Sequence, residues 1–296
     1  MDLRKKFYYK LGAAIRRLRL YRYYALKDDG RALSPFKLCF FCGQKGIDYL
    51  NASLISVYHT WEKLPELVIV TDGTPVDEIR QKLVKWPKEV VLMTWEECAL
   101  YYKNKGNGDL HHYAVNNLWG KKLVSVLYCG ECFNTVYSDT DVLWYDYPRE
   151  ANVGDKPFIK MSQDIEFCYS AEMLTHLKEE ACLSSVPLNA GLIHLHGDFS
   201  TYSKWDGLCA YLSALPDNRT EQTAFAILNN HYNSADYWNQ QEVLIKVDDK
   251  YNLRYTNKYY PALLARHYVN NKDITFWRDF AFMFIKRFKH GKTGQI

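Results

Sequence analysis

The sequence of 296 residues has no apolar run approaching the roughly 18 residues that a membrane-spanning helix needs, so a helical bilayer crossing is excluded. Glycine (15) and proline (9) are sparse, and no glycine period, sustained heptad run or internal repeat is present, which excludes collagen, coiled coil and solenoid. Met1 to Lys10 carry charges and tyrosines rather than an apolar stretch, so this segment is not read as a secretory signal. Eight cysteines in such a chain are expected to be reduced thiols in the cytoplasm. What is present suits a folded enzyme-sized body. Hydrophobic residues make up 48% and aromatic residues 16%, enough for a large α/β core.

Charge is unevenly placed. Residues 1–27 carry a net +8 and residues 277–296 a net +4, which leaves −8 on the body between them. An acidic body between basic ends does not fit a nucleic-acid-binding core. Both ends are amphipathic: Phe7, Leu11, Ala14, Ile15, Leu18 and Tyr21 recur at helical spacing, and Phe276, Trp277, Phe280, Met283, Phe284 and Phe288 form a second stripe. Two explanations stay open. Either the stripes contact an anionic membrane surface, at the inner face of the membrane, or they pack on the core and the basic residues are merely solvated. The expected division is a basic amphipathic helix over 1–35, a catalytic domain over 36–275 with halves 36–150 and 151–275, and a basic aromatic segment over 276–296.

Along the body, Lys37–Gly43, Leu67–Val70 and Glu89–Thr94 read as strands, with helices over Ile47–Thr60 and Val76–Lys85 between them. That alternation predicts a Rossmann-like α/β fold with a mixed, mainly parallel sheet flanked by helices, and ligands at the carboxyl ends of its strands. His111–Leu127 reads as a further helix and Glu221–His231 as another, capped by Thr220. Thr135–Ser138, Phe158–Met161, Phe167–Ser170 and Leu192–Leu195 read as short strands.

Asp139-Thr140-Asp141 follows one of these strands and precedes the apolar Val142-Leu143-Trp144. Two carboxylates at i and i+2 can share a hard divalent cation, Mn²⁺ or Mg²⁺, that keeps sites for phosphate oxygens. The pair alone is a common turn sequence, but charges that interrupt a segment suited to burial need a partner. Val136-Tyr137-Ser138-Asp139-Thr140-Asp141-Val142-Leu143 resembles the Asp-x-Asp segment of glycosyltransferases with the GT-A fold, the nucleotide-diphospho-sugar transferase fold. Four further segments match in the same order: Leu118-Trp119-Gly120-Lys121-Lys122-Leu123, Leu188-Asn189-Ala190-Gly191-Leu192, Thr220-Glu221-Gln222 and Ala265-Arg266-His267-Tyr268. The pattern is most similar to family 8, the retaining enzymes such as glycogenin and the lipopolysaccharide galactosyltransferases.

The resemblance implies a metal held by Asp139, Asp141 and His267. It implies donor contacts from Lys122, Asp139, Ala190 and Gly191, with Asn189 gripping the donor sugar and Gln222 and Glu221 near the reacting carbon. Glu221 stands where that family commonly has aspartate. The family's Gly-Pro-Lys-Pro-Trp after the His-Tyr pair is replaced by Val269-Asn270-Asn271-Lys272-Asp273, so the phosphate-binding role falls to Lys272. The nucleotide base is expected near Cys42, Gly43 and Asp72. The activity implied is metal-dependent transfer from a nucleotide sugar, a UDP-sugar by family habit, to a glycan or lipid-linked acceptor. Retention is expected, and an inverting enzyme would instead use Glu221 or Asp164 as base. Two alternatives stand beside it: a sugar-nucleotide nucleotidyltransferase, for which Gly43-Gln44-Lys45-Gly46 is a faint signature loop, and a non-catalytic sugar-nucleotide or membrane-binding scaffold. Two other motifs read as structural. Cys39-x-x-Cys42 and Cys129-x-x-Cys132 are too far apart for an ordinary zinc site, and His194-Leu195-His196 lacks partners at metal spacing.

Overall fold

The computed structural model describes residues 3–24, 26–149, 156–177, 186–202, 205, 209, 217, 219–233, 236–245, 262–269 and 272–290. The strands are β1 (Lys37–Cys42), β2 (Leu67–Thr71), β3 (Val90–Thr94), β4 (Thr135–Ser138), β5 (Val142–Trp144), β6 (Phe158–Gln163), β7 (Leu188–His196), β8 (Tyr237–Trp238), β9 (Val243–Ile245) and β10 (Ala265–His267). The helices are α1 (Leu3–Leu18), α2 (Ile47–Thr60), α3 (Val76–Lys82), α4 (Trp95–Asn104), α5 (Gly108–Asn116), α6 (Leu118–Cys132), α7 (Ala171–Leu177), α8 (Thr220–Asn233) and α9 (Lys272–His290).

Seven strands form one sheet in the order β3-β2-β1-β4-β7-β6-β8, and β5, β10 and β9 form a second, smaller one. In the large sheet only β7 runs against its neighbours, β4 and β6. The other pairings are parallel, as the strand–helix alternation predicts. Both faces of this sheet are covered. Leu38, Phe40 and Cys42 of β1 join a cluster with α2 residues and with Phe276 and Trp277 of α9, while Cys39, Val68 and Tyr137 join a second cluster with residues of α4, α5, α6 and α8. A strand buried on both sides gains from apolar residues at every position, which is why β2 reads Leu-Val-Ile-Val-Thr and all five side chains are buried. The same alternation sends Cys39 and Cys42 to opposite faces, so they cannot act as a chelating pair. Cys39 instead meets Cys129 in the core, sulfur to sulfur at 3.1 Å.

Local chemistry explains where the elements depart from expectation. The single helix expected over His111–Leu127 is two helices. Asn117 takes an extended conformation (φ −141°, ψ 132°), and its side chain accepts the Trp119 N–H at 2.8 Å, capping α6 and ending α5. Helix α4, not expected, begins at a capping box in which Thr94 and Glu97 satisfy each other's backbone N–H groups. No strand forms over Phe167–Ser170; this segment is irregular between β6 and α7. Thr220 opens α8, and its hydroxyl bonds the Asp217 carbonyl and the Tyr113 hydroxyl.

The two amphipathic ends meet. Helix α1 packs on α9, and Gly12 lies against the α9 backbone, where an added Cβ would come within 2.5 Å of the Trp277 carbonyl oxygen. Tyr21 stacks on Trp277 at 5.7 Å, and Ile15, Tyr21, Phe276, Trp277 and Phe280 are buried. The described parts of both stripes therefore fill the core, while Phe7 and Leu18 remain exposed beside Lys6, Lys10, Arg17 and Arg19. The boundary expected at 275/276 falls inside α9. The side chains of Phe284 and Phe288 lie outside the described residues. No helix among the described residues is long and apolar enough to cross a membrane.

Candidate active site

The chain runs outward from β1 to β2 and β3, then returns through α4, α5 and α6 to place β4 on the other side of β1. The strand order thus reverses between β1 and β4, and the crevice at their carboxyl ends is where ligands bind in sheets of this kind. Gly43 leaves β1 there and Asp139 leaves β4. Gly43 lies against the Asp72 carboxylate, and Gly46 lies against Thr140, so the loops after β1, β2 and β4 converge. The Asp72 carboxylate accepts from the backbone and side chain of Thr74, whose hydroxyl oxygen accepts the Gln44 N–H at 3.1 Å. Cys42 is buried, and burial first and Asp72 second push its thiol far above the usual range; its Sγ donates to the Gly43 carbonyl at 3.3 Å.

Three distant segments bring a donor cluster together. Strand β10 pairs antiparallel with β5, with His267 opposite Val142, and the Tyr268 N–H donates to the Asp141 carbonyl at 3.0 Å. This register sets the His267 ring beside the acidic pair: Nε2 lies 3.4 Å from Asp141 Oδ1 and 3.5 Å from Asp139 Oδ2. One ligand atom from each of the three residues lies within 4.8 Å of the other two, and among the described residues no other group of three or more metal-capable side chains converges in this way. Two carboxylate oxygens and an imidazole nitrogen are a donor set for a divalent first-row cation, and these residues fit one. Strand β10 is braced from behind, because Asp279 of α9 takes Arg266 and the Tyr268 hydroxyl.

Charges around the cluster are compensated. Lys122 of α6 is buried, with its Nζ 3.1 Å from Asp139 and 2.9 Å from Glu221. Burial opposes its charge, but Asp139 and Glu221 outweigh that and hold its pKa above the usual lysine value. Burial raises the Glu221 carboxyl above its ordinary range, with Lys122 pulling the other way. Burial also opposes ionisation of Asp141, yet His267 and Lys272 hold it well below the usual carboxylate range. His267 is raised, because its bond and charge interaction with Asp141, and the charge of Asp139, outweigh its burial. Lys272, at the start of α9 and half exposed, donates to Asp141 at 3.0 Å. The neighbouring loop residues Asn270 and Asn271 lie outside the described residues.

The Asn189-Ala190-Gly191 segment is a bulge in β7. Met161 of β6 pairs with Ile193 while its neighbour Ser162 pairs with Asn189, leaving three residues of β7 between them. Bulges re-aim side chains and backbone next to sites. Here the Gly191 carbonyl accepts the Asp139 N–H at 2.7 Å, and the Ala190 carbonyl lies 3.5 Å from Lys122 Nζ. Glu221 and Gln222 diverge: Glu221 points to Lys122, whereas the Gln222 NH2 group donates to the Cys168 carbonyl at 3.1 Å. One neighbour lies outside the expected set: the Tyr137 hydroxyl donates to Asp139, an interaction legible in the i, i+2 spacing. Asp164, expected only as the base of an inverting enzyme, accepts from the Asn189 amide, a contact for which no sequence signal exists.

No family model matches the sequence, and no curated protein matches it. Among solved structures, mouse xyloside xylosyltransferase 1 in its apo form superposes with a TM-score of 0.50 at 10% identity, over 80% of this chain and 98% of that one. The galactosyltransferase LgtC, solved with donor and acceptor sugar analogs, matches at a TM-score of 0.49 and 15% identity, over 88% and 97%. The chain has the fold of the xylosyltransferase, a GT-A glycosyltransferase fold, as the ordered motifs predicted.

Proposed function

We propose that this protein is a metal-dependent glycosyltransferase of the family 8 kind, which moves a sugar from a nucleotide sugar, a UDP-sugar, to a glycan or lipid-linked acceptor with retention. The observation that carries this reading is the convergence of Asp139, Asp141 and His267 at the strand-order reversal of a GT-A fold. Asp139, Asp141 and His267 would hold Mn²⁺ or Mg²⁺, and the nitrogen donor favours Mn²⁺. When bound, the cation supplies a Lewis acid for the leaving diphosphate. The chain's own residues do the rest. Lys272, half exposed at the rim, would exchange its contact with Asp141 for a phosphate oxygen. Lys122 keeps a fixed positive charge beside the donor, already desolvated and therefore effective. Cys42 and Gly43, through their backbone, and Asp72 would border the nucleotide base, while Ala190 and Gly191 line the sugar side. With its NH2 group held by Cys168, Gln222 would offer its carbonyl oxygen to the electron-poor sugar carbon, and Glu221 tunes Lys122. The exposed basic residues of α1, beside Leu18, support work at an anionic membrane face in the cytoplasm.

A thermal-shift panel of UDP-, GDP- and CMP-sugars with and without Mn²⁺ tests this reading. A UDP-sugar should raise the midpoint only with the metal present, by mass action on the folded state. Asp141→Asn should abolish the metal-dependent part and lower turnover by roughly 10²–10³-fold. Equal shifts with and without metal, or full activity in chelator, would refute the reading.

A further inference from the structure

We infer that Asn189 and Asp164 form a positioning pair that holds the His267 imidazole with its Nδ1–H on Asn189 and its Nε2 turned to Asp139 and Asp141, where that nitrogen can exchange a proton for a cation. The consequence for metal binding rests on the function proposed above; the geometry does not.

The direction of every bond in this chain is determined by its neighbours. The Gly191 backbone N–H is a donor only, and it meets Asn189 Oδ1 at 2.8 Å, so that atom is the amide oxygen. Asn189 Nδ2 then faces Asp164 Oδ2 at 2.9 Å, which places the amide NH2 on a carboxylate. His267 Nδ1 lies 3.0 Å from the same Asn189 oxygen. Because that oxygen can only accept, the ring nitrogen there carries the proton, and Nε2 is left to face the acids. Asn189 is therefore engaged at both ends, and it is 6% exposed. It is better placed to orient the histidine than to grip a sugar hydroxyl.

Asp164 is itself anchored. Its second carboxylate oxygen accepts the Ile165 N–H at 2.7 Å, its own N–H donates to the Pro187 carbonyl, and its carbonyl accepts from Gln240. A line of bonds thus runs from backbone through Asp164 and Asn189 to the imidazole. The β7 bulge adds a steric condition. A Cβ on Gly191 would lie 2.1 Å from His267 Cε1 and 2.3 Å from Nδ1, so only glycine lets the ring lie against the strand. Ligand histidines are commonly held by a partner on the other ring nitrogen, which fixes tautomer and orientation. Without this pair the ring can turn and take Nε2 away from the acidic pair.

The full-length protein is tested with Mn²⁺ alone, without nucleotide, the free ion being counted by electron paramagnetic resonance. Asn189→Ala should weaken Mn²⁺ binding by roughly 10–100-fold with a folded melting transition retained. Asn189→Asp should also weaken it, because two carboxylates then face each other. Adding Asp164→Asn to it reverses donor and acceptor and should return the affinity to within about threefold of the original, a coupling that a purely structural role would not give. Separately, selective ¹⁵N-histidine labelling of the metal-free protein should show a slowly exchanging Nδ1–H that disappears in His267→Gln and exchanges fast in Asn189→Ala. Unchanged Mn²⁺ affinity in folded Asn189→Ala, no rescue by the exchanged pair, or a freely exchanging Nδ1–H in the original protein would each overturn the inference. Failure of the original protein to bind Mn²⁺ would overturn the metal reading, and the labelling experiment would still decide the positioning pair. If Asn189→Ala does not fold, the comparison between Asn189→Asp and the exchanged pair carries the test.

Discussion

Replacing Lys122 by methionine keeps the length of the side chain and removes the cation between Asp139 and Glu221. Asp139 is partly solvated and can rehydrate, but Glu221 is 3% exposed and loses the ammonium 2.9 Å away. Removing one partner of a buried pair costs on the order of 3–5 kcal/mol when the other stays charged. Glu221 has an escape, because it can take up a proton. At pH 7 that costs about 3.7 kcal/mol for a carboxyl with an ordinary pKa near 4.3, and at pH 5 only about 1 kcal/mol. The smaller of the two costs applies, so Lys122→Met should lose about 3–4 kcal/mol at pH 7 and about 1 kcal/mol at pH 5. The sign follows from a carboxyl whose folded pKa lies above its unfolded value: stability is lost as pH rises. With an unfolding entropy near 2.1 cal/mol/K per residue, a chain of this length should show a midpoint lower by roughly 6 °C at pH 7 and 2 °C at pH 5. Differential scanning calorimetry in chelator at the two pH values checks this. Adding Glu221→Gln should recover most of the loss. An equal loss at both pH values, or no recovery in the double variant, would mean that packing and not charge holds Lys122, and the electrostatic account of the site would fall.

Gly12→Ala puts a methyl group into the α9 backbone and should cost about 1–3 kcal/mol in urea unfolding; an unchanged midpoint would show that α1 does not pack through this contact. His194 is buried, and burial lowers its pKa from 6.5 to about 4, so it folds neutral. Its contribution, up to about 3 kcal/mol, is complete above pH 6.5 and is lost as pH falls towards 4; His194→Gln should flatten that loss in denaturant titrations at pH 7 and pH 4.5. Gln222→Ala should lower turnover far more than donor affinity, and the product of an α-linked donor should be α-linked by NMR; a β-linked product would move the assignment to an inverting enzyme with Glu221 or Asp164 as base.

Residue order alone determined much of this protein, wherever the signal was local. The apolar runs Lys37–Cys42, Leu67–Thr71 and Thr135–Ser138 and the helical period of Ile47–Thr60 gave the parallel half of the sheet. Asp139-Thr140-Asp141, between a strand and an apolar segment, marked its own site because charge next to burial demands a counter-charge or a cation. Local rules also explain two departures from the expected helices: Asn117 resembles any polar helix residue until its side chain caps the next helix, and Thr94 and Glu97 form the capping box that starts α4. Tertiary structure decided what depends on register and on distant pairing. The antiparallel pairing of β10 with β5 brings His267 to Asp141 across 125 intervening positions, and no periodicity encodes that. The apolar stripes at the two ends fit a membrane as well as a core, and only the tertiary structure showed that Ile15, Tyr21, Phe276, Trp277 and Phe280 are buried in the core while Phe7 and Leu18 stay outside it. The bulge in β7 turned Asn189 towards His267 and Asp164, because a side chain's role follows from the donors and acceptors around it, and these arrive from parts of the chain that its own neighbours in sequence do not reveal.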